Sequence, residues 1–137
     1  MSDTAPSSSA APPSTPQGEL VIRTLAMPAD TNPAGDIFGG WLLGQMDLGA
    51  AIIAKSVARC RVTTVALDGM AFLNPVSVGD IVDCYARLLS VGRTSMKIDV
   101  EAWVQRGTDG KLLRVTEGIF TYVALDENGR PQPVRRA

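Results

Sequence analysis

The sequence contains no histidine, and this absence removes several kinds of active site at once. A Ser-His-Asp triad, a Cys-His pair and a histidine-ligated metal all need an imidazole, so a single chain cannot build any of them. Acid–base chemistry near neutral pH must therefore come from carboxylates, lysine, tyrosine, cysteine or bound water.

The sequence also has few cysteines and a net charge close to zero. Cys60 and Cys84 are too few for a disulfide framework or a tetrahedral zinc site, so we expect two reduced thiols. The formal net charge is -1, which gives no reason to expect binding to nucleic acid or to an anionic membrane. The length of 137 residues fits one domain.

The first 18 residues contain little besides serine, proline, alanine and threonine, which occupy 14 of these positions. Such a segment buries too little apolar surface to offset its ordering entropy, so we predict a disordered tail over 1–18 and a single domain over 19–131. The tail has neither the apolar run of a secretory signal nor the arginines of a transit peptide. The expected location is therefore the cytoplasm.

Residues 41–59 form the only long stretch with helical spacing. Four glycines and a central Asp47 within residues 37–54 argue against a membrane span, so we predict a helix buried in a protein core. The apolar positions that recur at helical spacing are Leu42, Met46, Ala50, Ile53 and Val57.

One strand-like segment precedes the helix and four follow it, joined mostly by short turns that indicate antiparallel neighbours. This pattern predicts an α+β fold in which a curved antiparallel sheet of about five strands wraps around one long central helix. In the clearest strand, alternation places Trp103 on a polar outer face as an exposed aromatic residue. The other outward positions are Ser95, Lys97, Asp99 and Glu101.

Gly39 and Gly40 lie where the predicted helix begins. Glycine lets the backbone approach a ligand closely, and the first amides of a helix have no intrahelical partner. Such a helix end favours negative charge that develops on an oxyanion. The alternative is a glycine-rich connector selected only for tight packing.

Asp47 is the single charge within residues 37–54. Its neighbours one turn away, Leu43, Gly44, Ala50 and Ala51, offer nothing that can pair with a carboxylate. A buried carboxylate costs several kcal/mol unless something satisfies it. Asp47 therefore either reaches a polar group on a strand or the backbone, or it borders a ligand cleft.

Polar residues elsewhere are open to two interpretations. Asn32 and Asp36 are either turn formers or site residues, and Asp68 and Glu117 either border a site or pair across the sheet. The polar block that follows Gly92, at the turn between two predicted strands, is either a phosphate site or a solvated hairpin tip. That block consists of Arg93, Thr94, Ser95 and Lys97.

Three separated blocks, TNPAGDIFGGWLLGQMD, FLNPVSVGD and SVGRTSMKIDVEAWV, resemble the bacterial YciA-type acyl-CoA thioesterases. The resemblance runs from about Leu20 to Arg130. It implies a hotdog fold and an acyl-CoA thioester hydrolase of lipid metabolism, built as a homodimer and assembled into a hexamer as a trimer of dimers. It also implies active sites between subunits, no metal, and no cofactor beyond the coenzyme A of the substrate.

The same resemblance assigns roles to individual residues. Asp47 becomes the catalytic carboxylate, acting as general base or nucleophile, while Gly39 and Gly40 supply backbone donors to the thioester carbonyl. It also places Arg93, Thr94 and Ser95 where similar proteins hold the CoA portion. Apart from the resemblance, the further substrate-binding residues are expected to be Asn32, Asp36, Phe38 and Lys97. The alternatives are a hotdog hydratase, which the lack of histidine disfavours, and a non-catalytic acyl-CoA-binding hotdog module.

Overall fold

One helix and five strands make up residues 15–134, which are the residues that this computed structural model describes. Residues 1–14 of the predicted disordered tail therefore lie outside the described residues. A short 3-10 turn, Pro28–Asp30, precedes the helix. The elements in chain order are β1 (Glu19–Leu25), α1 (Gly39–Ala58), β2 (Arg61–Asp68), β3 (Ile81–Val91), β4 (Ser95–Gln105) and β5 (Leu112–Leu125).

The five strands form one antiparallel sheet in the order β1-β3-β4-β5-β2. Two hairpins connect β3, β4 and β5, as short turns require. The connection over residues 69–80 is longer because β2 pairs with β5 at one edge, while β3 pairs with β1 and β4. The predicted architecture, one helix against an open antiparallel sheet of five strands, is confirmed.

The helix packs on one face of this sheet and contacts all five strands. Leu42 and Met46 are buried, and alanines continue the same stripe, so the helix axis lies close to the strands. A methyl group on Gly49 would lie 2.7 Å from Cγ2 of Val21, so this helix position accepts only glycine without rearrangement. The facing side chains of β4 are all buried: Met96, Ile98, Val100, Ala102 and Val104.

The outer face of the sheet differs from the prediction. We predicted an exposed Trp103, but this residue is buried, with 2% of its surface exposed. Its indole nitrogen donates to Oε1 of Glu101 over 2.9 Å. Asp83, Asp99 and Glu101 are also buried there. The reason is that alternation identifies the face of a residue but not what covers it. On this face Arg23 and Arg87 pair with Asp83 and Asp99, and the amide of Gln17 donates to Glu101.

The β2 edge is the least covered part of the sheet, with seven of its eight residues exposed. Val65 and Leu67 on this strand are exposed, and so are Leu48 and Ile52 on the exposed side of α1. In the part of the chain that the structure describes, no helix combines the length and the apolar character needed to cross a membrane.

Candidate active site

Asp47 lies in the middle of α1 and takes its partners from two strands. The hydroxyl of Thr64 on β2 donates to Oδ1 of Asp47 over 2.7 Å. The hydroxyl of Tyr122 on β5 lies 2.5 Å from the same Oδ1 and 2.7 Å from the main-chain oxygen of Asp47. Within residues 15–134 no group hydrogen-bonds to Oδ2, so one carboxylate oxygen is held and the other is open.

Both donors to Asp47 are neutral. No ion pair involves this carboxylate in the described part of the chain, and Tyr122 is the titratable group in contact with it. Burial, followed by the nearby carboxylate, raises the pKa of Tyr122 well above its ordinary value, so the phenol remains a protonated donor. The negative charge of Asp47 is therefore oriented without being neutralised.

The first amides of α1 face solvent. Trp41 and Leu42 donate to the carbonyl of Phe38, whereas the amides of Gly39 and Gly40 have no partner among the described residues. Phe38, the N-cap residue, makes no side-chain hydrogen bond to the helix end. A methyl group at Gly39 would meet only Phe72, at 3.9 Å, so nothing in this chain requires glycine there.

The helix start and Asp47 do not meet within one chain. Eight residues separate Gly39 from Asp47, which corresponds to about 12 Å along the helix axis. A cleft of about 260 Å³ opens beside Gly39, and Asp47 is not among its lining residues. Its lining residues are Asp36, Ile37, Gly39, Leu42, Phe72, Leu73, Asn74, Pro75 and Val76.

In the loop before the helix, Asn32 is a turn former. Its Oδ1 accepts the amides of Ala34 and Asp36, at 3.0 and 3.1 Å. The exposed Asp36 borders the first cleft. Asn32 and the exposed Phe38 line a second cleft of about 330 Å³, so the loop separates two adjoining concave surfaces.

Arg93 and Thr94 form the tip of the hairpin between β3 and β4. The tip is held by its backbone: the carbonyl of Arg93 accepts the amide of Val134, and that of Thr94 accepts the amide of Ala124. Arg93 is exposed, as is Lys97 on β4, and neither forms an ion pair within residues 15–134. These cations are free to meet an anionic ligand.

Three carboxylates approach one another on the outer face. Oxygen atoms of Asp99, Glu101 and Glu117 lie within 4.8 Å of one another, and this is the one group of potential metal ligands in the described region. Burial, followed by Glu117, raises the pKa of Asp99 to about 7. Glu117 pairs with Arg114 and, with Asp68, lines a separate small cleft.

Sequence reasoning did not identify Thr64 and Tyr122. The available signal was the inward position of Tyr122 on β5, where it alternates with the apolar Phe120 and Ala124. A tyrosine on an apolar face usually reaches a hydrogen-bond partner. Alternation alone does not identify that partner, because it lies on another element.

Comparisons with known proteins agree in fold and chemistry. The family model of the thioesterase superfamily matches residues 34–111. The acyl-CoA thioester hydrolase YciA of Salmonella typhimurium is 57% identical over 123 residues, which cover 88% of this chain and 92% of that protein.

Two solved structures are also similar. HI0827, a hexameric broad specificity acyl-coenzyme A thioesterase, is 52% identical with a TM-score of 0.84, covering 89% of this chain and 84% of that one. A hexameric hotdog fold thioesterase of Campylobacter jejuni is 42% identical with a TM-score of 0.81, covering 86% and 91%.

Proposed function

The chain belongs to the thioesterase superfamily, and from this premise we propose that it hydrolyses acyl-CoA thioesters to a carboxylic acid and free CoA. The observation that carries the proposal is Asp47, a carboxylate on an apolar helix with one oxygen held by two hydroxyls and the other open. A non-catalytic acyl-CoA-binding module is not favoured, because the relative that is 57% identical is a hydrolase.

The proposed reaction uses two kinds of protein group. Amides of Gly39 or Gly40 bind the thioester oxygen and stabilise the negative charge that develops on it. Asp47 takes a proton from a water molecule as that water attacks the carbonyl carbon, and the CoA thiolate leaves. In the second route Asp47 itself attacks, and water then hydrolyses the mixed anhydride.

Transfer of ¹⁸O from labelled water to Asp47 in a single turnover is diagnostic of the covalent route. A general base leaves the label only in the released acid, whereas water that attacks the anhydride at the Asp47 carbon transfers the label to the enzyme. Mass spectrometry of the peptide that contains Asp47 reads this difference directly.

We propose that each site is shared between two chains. A thioester carbonyl must lie about 3 Å from both its amide donors and its attacking group, which a separation of about 12 Å along one helix does not allow. Two antiparallel α1 helices, related by a two-fold axis, would place Gly39 of one chain opposite Asp47 of the other. The exposed apolar side chains of Leu48, Ile52 and Val65 support a dimer interface here.

The similar solved structures are described as hexameric, so we propose a homo-oligomer in which three such dimers assemble. The free cations at Arg93 and Lys97, with the hydroxyls of Thr94 and Ser95, are proposed to bind the phosphates of CoA. The loop residues Asn32, Asp36 and Phe38 are proposed to contact the rest of the substrate. Two free cysteines support a cytoplasmic location.

The test of the function is thiol release from a series of acyl-CoA substrates of different chain length, measured with a thiol reagent. Wild-type protein should turn over several of them, and dialysis against EDTA should leave the rate unchanged because the proposed chemistry uses only protein groups. Protein that binds CoA thioesters without releasing thiol from any of them would support the non-catalytic module instead.

The test of the shared site uses complementation. Proline at Gly39 or Gly40 removes an amide N–H in the first helical turn, where no intrahelical bond is lost. The control is Gly39→Ala, which keeps the amide N–H and adds a methyl group that clashes with nothing in this chain. If sites are shared between chains, a mixed dimer of an inactive proline variant and Asp47→Asn should regain activity at about one of its two sites. At that site the unchanged helix start of one chain meets the unchanged Asp47 of the other. No recovery in mixed dimers would assign both groups to one chain.

A further inference from the structure

We propose that Tyr122 and Thr64 are positioning residues for hydrolysis, which hold Oδ1 of Asp47 so that Oδ2 is the oxygen presented to water or substrate. This inference rests on the proposed function and deepens it by assigning different tasks to the two oxygens of one carboxylate. Both hydroxyls converge on Oδ1, at 2.7 Å from Thr64 and 2.5 Å from Tyr122.

The two donors come from two paired strands of the sheet. Tyr122 is 1% exposed, and its ring lies beside that of Phe120, with centroids 6.5 Å apart and planes inclined by 19°. Its hydroxyl also lies 2.7 Å from the main-chain oxygen of Asp47, so its single proton is shared between two acceptors of the same residue. Thr64 adds a donor from β2, the strand that pairs with β5.

Packing alone does not account for the tyrosine. Phenylalanine would fill the same buried volume without a polar atom that needs a partner. The phenol hydroxyl instead reaches Asp47, and a second hydroxyl, that of Thr64, converges on the same oxygen. Neutral donors suit a carboxylate that must keep its charge, because an arginine in their place would neutralise it.

The experiment compares Tyr122→Phe and Thr64→Val with two controls that make the same chemical changes elsewhere. Tyr85→Phe lies on the outer face of β3, and Thr63→Val lies on β2 beside Thr64. Each positioning variant should lose about tenfold to a hundredfold in kcat with little change in KM, as expected for one hydrogen bond to a charged group. Thr64→Ser should restore most of the rate.

Two further readouts separate positioning from a structural role. Loss of a donor makes a carboxylate hold its proton more tightly, so the acidic limb of the kcat/KM profile should move to higher pH in Tyr122→Phe. In the Asp47→Asn background, Tyr122→Phe should cause no further loss of the residual rate, because the phenol acts through that carboxylate.

The outcomes distinguish this inference from the function on which it rests. Wild-type protein that releases no thiol refutes the proposed function. If wild type is active, the positioning role is refuted by wild-type rates in Tyr122→Phe and Thr64→Val. It is also refuted by a loss confined to KM, by an acidic limb that does not move, or by a further loss in the Asp47→Asn background.

Discussion

Asp47 and Asp99 lie on opposite faces of the same sheet, and their surroundings differ in partners, charge and access. Asp47, on the helix side, accepts two neutral hydroxyls and leaves Oδ2 open. Asp99, on the outer face, is 3% exposed; it accepts a hydrogen bond from Arg87 at 3.3 Å and lies beside Glu117. The first carboxylate is half-buried and keeps one oxygen open, whereas the second is buried between an arginine and another carboxylate of its own chain.

Two other buried carboxylates, Asp80 and Asp83, are paired with arginines, as Asp99 is. Arg23 binds both oxygens of Asp83, at 2.7 and 2.9 Å, and Arg106 binds both oxygens of Asp80. Burial of a carboxylate is therefore not by itself a sign of function in this protein. The informative combination is neutral donors together with partial exposure, which orients a carboxylate and leaves it available. Asp47 is half-buried and keeps Oδ2 open, whereas Glu101, which also accepts from neutral N–H groups, is buried.

The sharpest test of this comparison is the same substitution on both faces. Asp47→Asn should lower acyl-CoA hydrolysis by about 10² to 10⁴-fold, the usual range for loss of a general base, and should keep CoA binding. Asp99→Asn should hydrolyse at close to the wild-type rate. Thiol-release kinetics and CoA titration measure both properties; near-normal turnover in Asp47→Asn would reverse the assignment.

A second test addresses why the helix side is open. If a second chain covers the β2 edge, Val65→Asp should bury an unpaired charge there and weaken the dimer by about 3 kcal/mol, roughly a hundredfold in Kd. Activity should fall with the dimer fraction in sedimentation experiments. Leu89→Asp, at an exposed apolar residue on β3, is the control. A fully active Val65→Asp monomer would mean that one chain completes the site.

Local patterns predicted the elements well but not their long-range contacts. Helical spacing placed α1 at 41–59, close to its observed span of Gly39–Ala58, and strand-like runs placed five strands. The residues that hold Asp47 are 17 and 75 positions away from it in sequence. Their convergence depends on the strand order, in which β2 pairs with β5, and no local pattern encodes that pairing.

The wrong prediction for Trp103 has the same physical origin. Period-two alternation placed it on the outer face correctly, and the error was to equate that face with solvent. Arginines from β1 and β3 reach across the face, and Glu101 on the same strand accepts the indole N–H. Side chains of that length cover a sheet that would otherwise be exposed.

A third test uses pH to examine the outer face. The folded-state pKa of Asp99 is about 7, against 3.8 for an unperturbed aspartate, so the folded state retains a proton that the unfolded chain releases. This contribution to stability is complete below about pH 4 and is lost as pH rises through 7. Asp99→Asn should therefore be more stable than wild type at pH 8, by about 2 kcal/mol, which corresponds to a Tm higher by about 5 to 10 °C, and should match wild type near pH 4. Melting curves at both pH values measure this, and an equal difference at both would contradict it.

The smallest expected effect concerns the N-terminal tail, of which Gln17 contacts the outer face of the sheet. The amide of Gln17 donates to Oε1 of Glu101 over 3.2 Å, and Glu101 also accepts the indole N–H of Trp103. Removal of residues 1–14 leaves this contact intact, so Tm and turnover should match those of the full chain. Removal of residues 1–17 eliminates one hydrogen bond and should lower stability by about 1 kcal/mol, a few degrees in Tm.

Turnover should be unchanged in both truncated chains, because the lost contact lies on the face opposite Asp47. A fall in kcat after either truncation, with the oligomer intact, would mean that the tail reaches the active site and that the two faces are not independent.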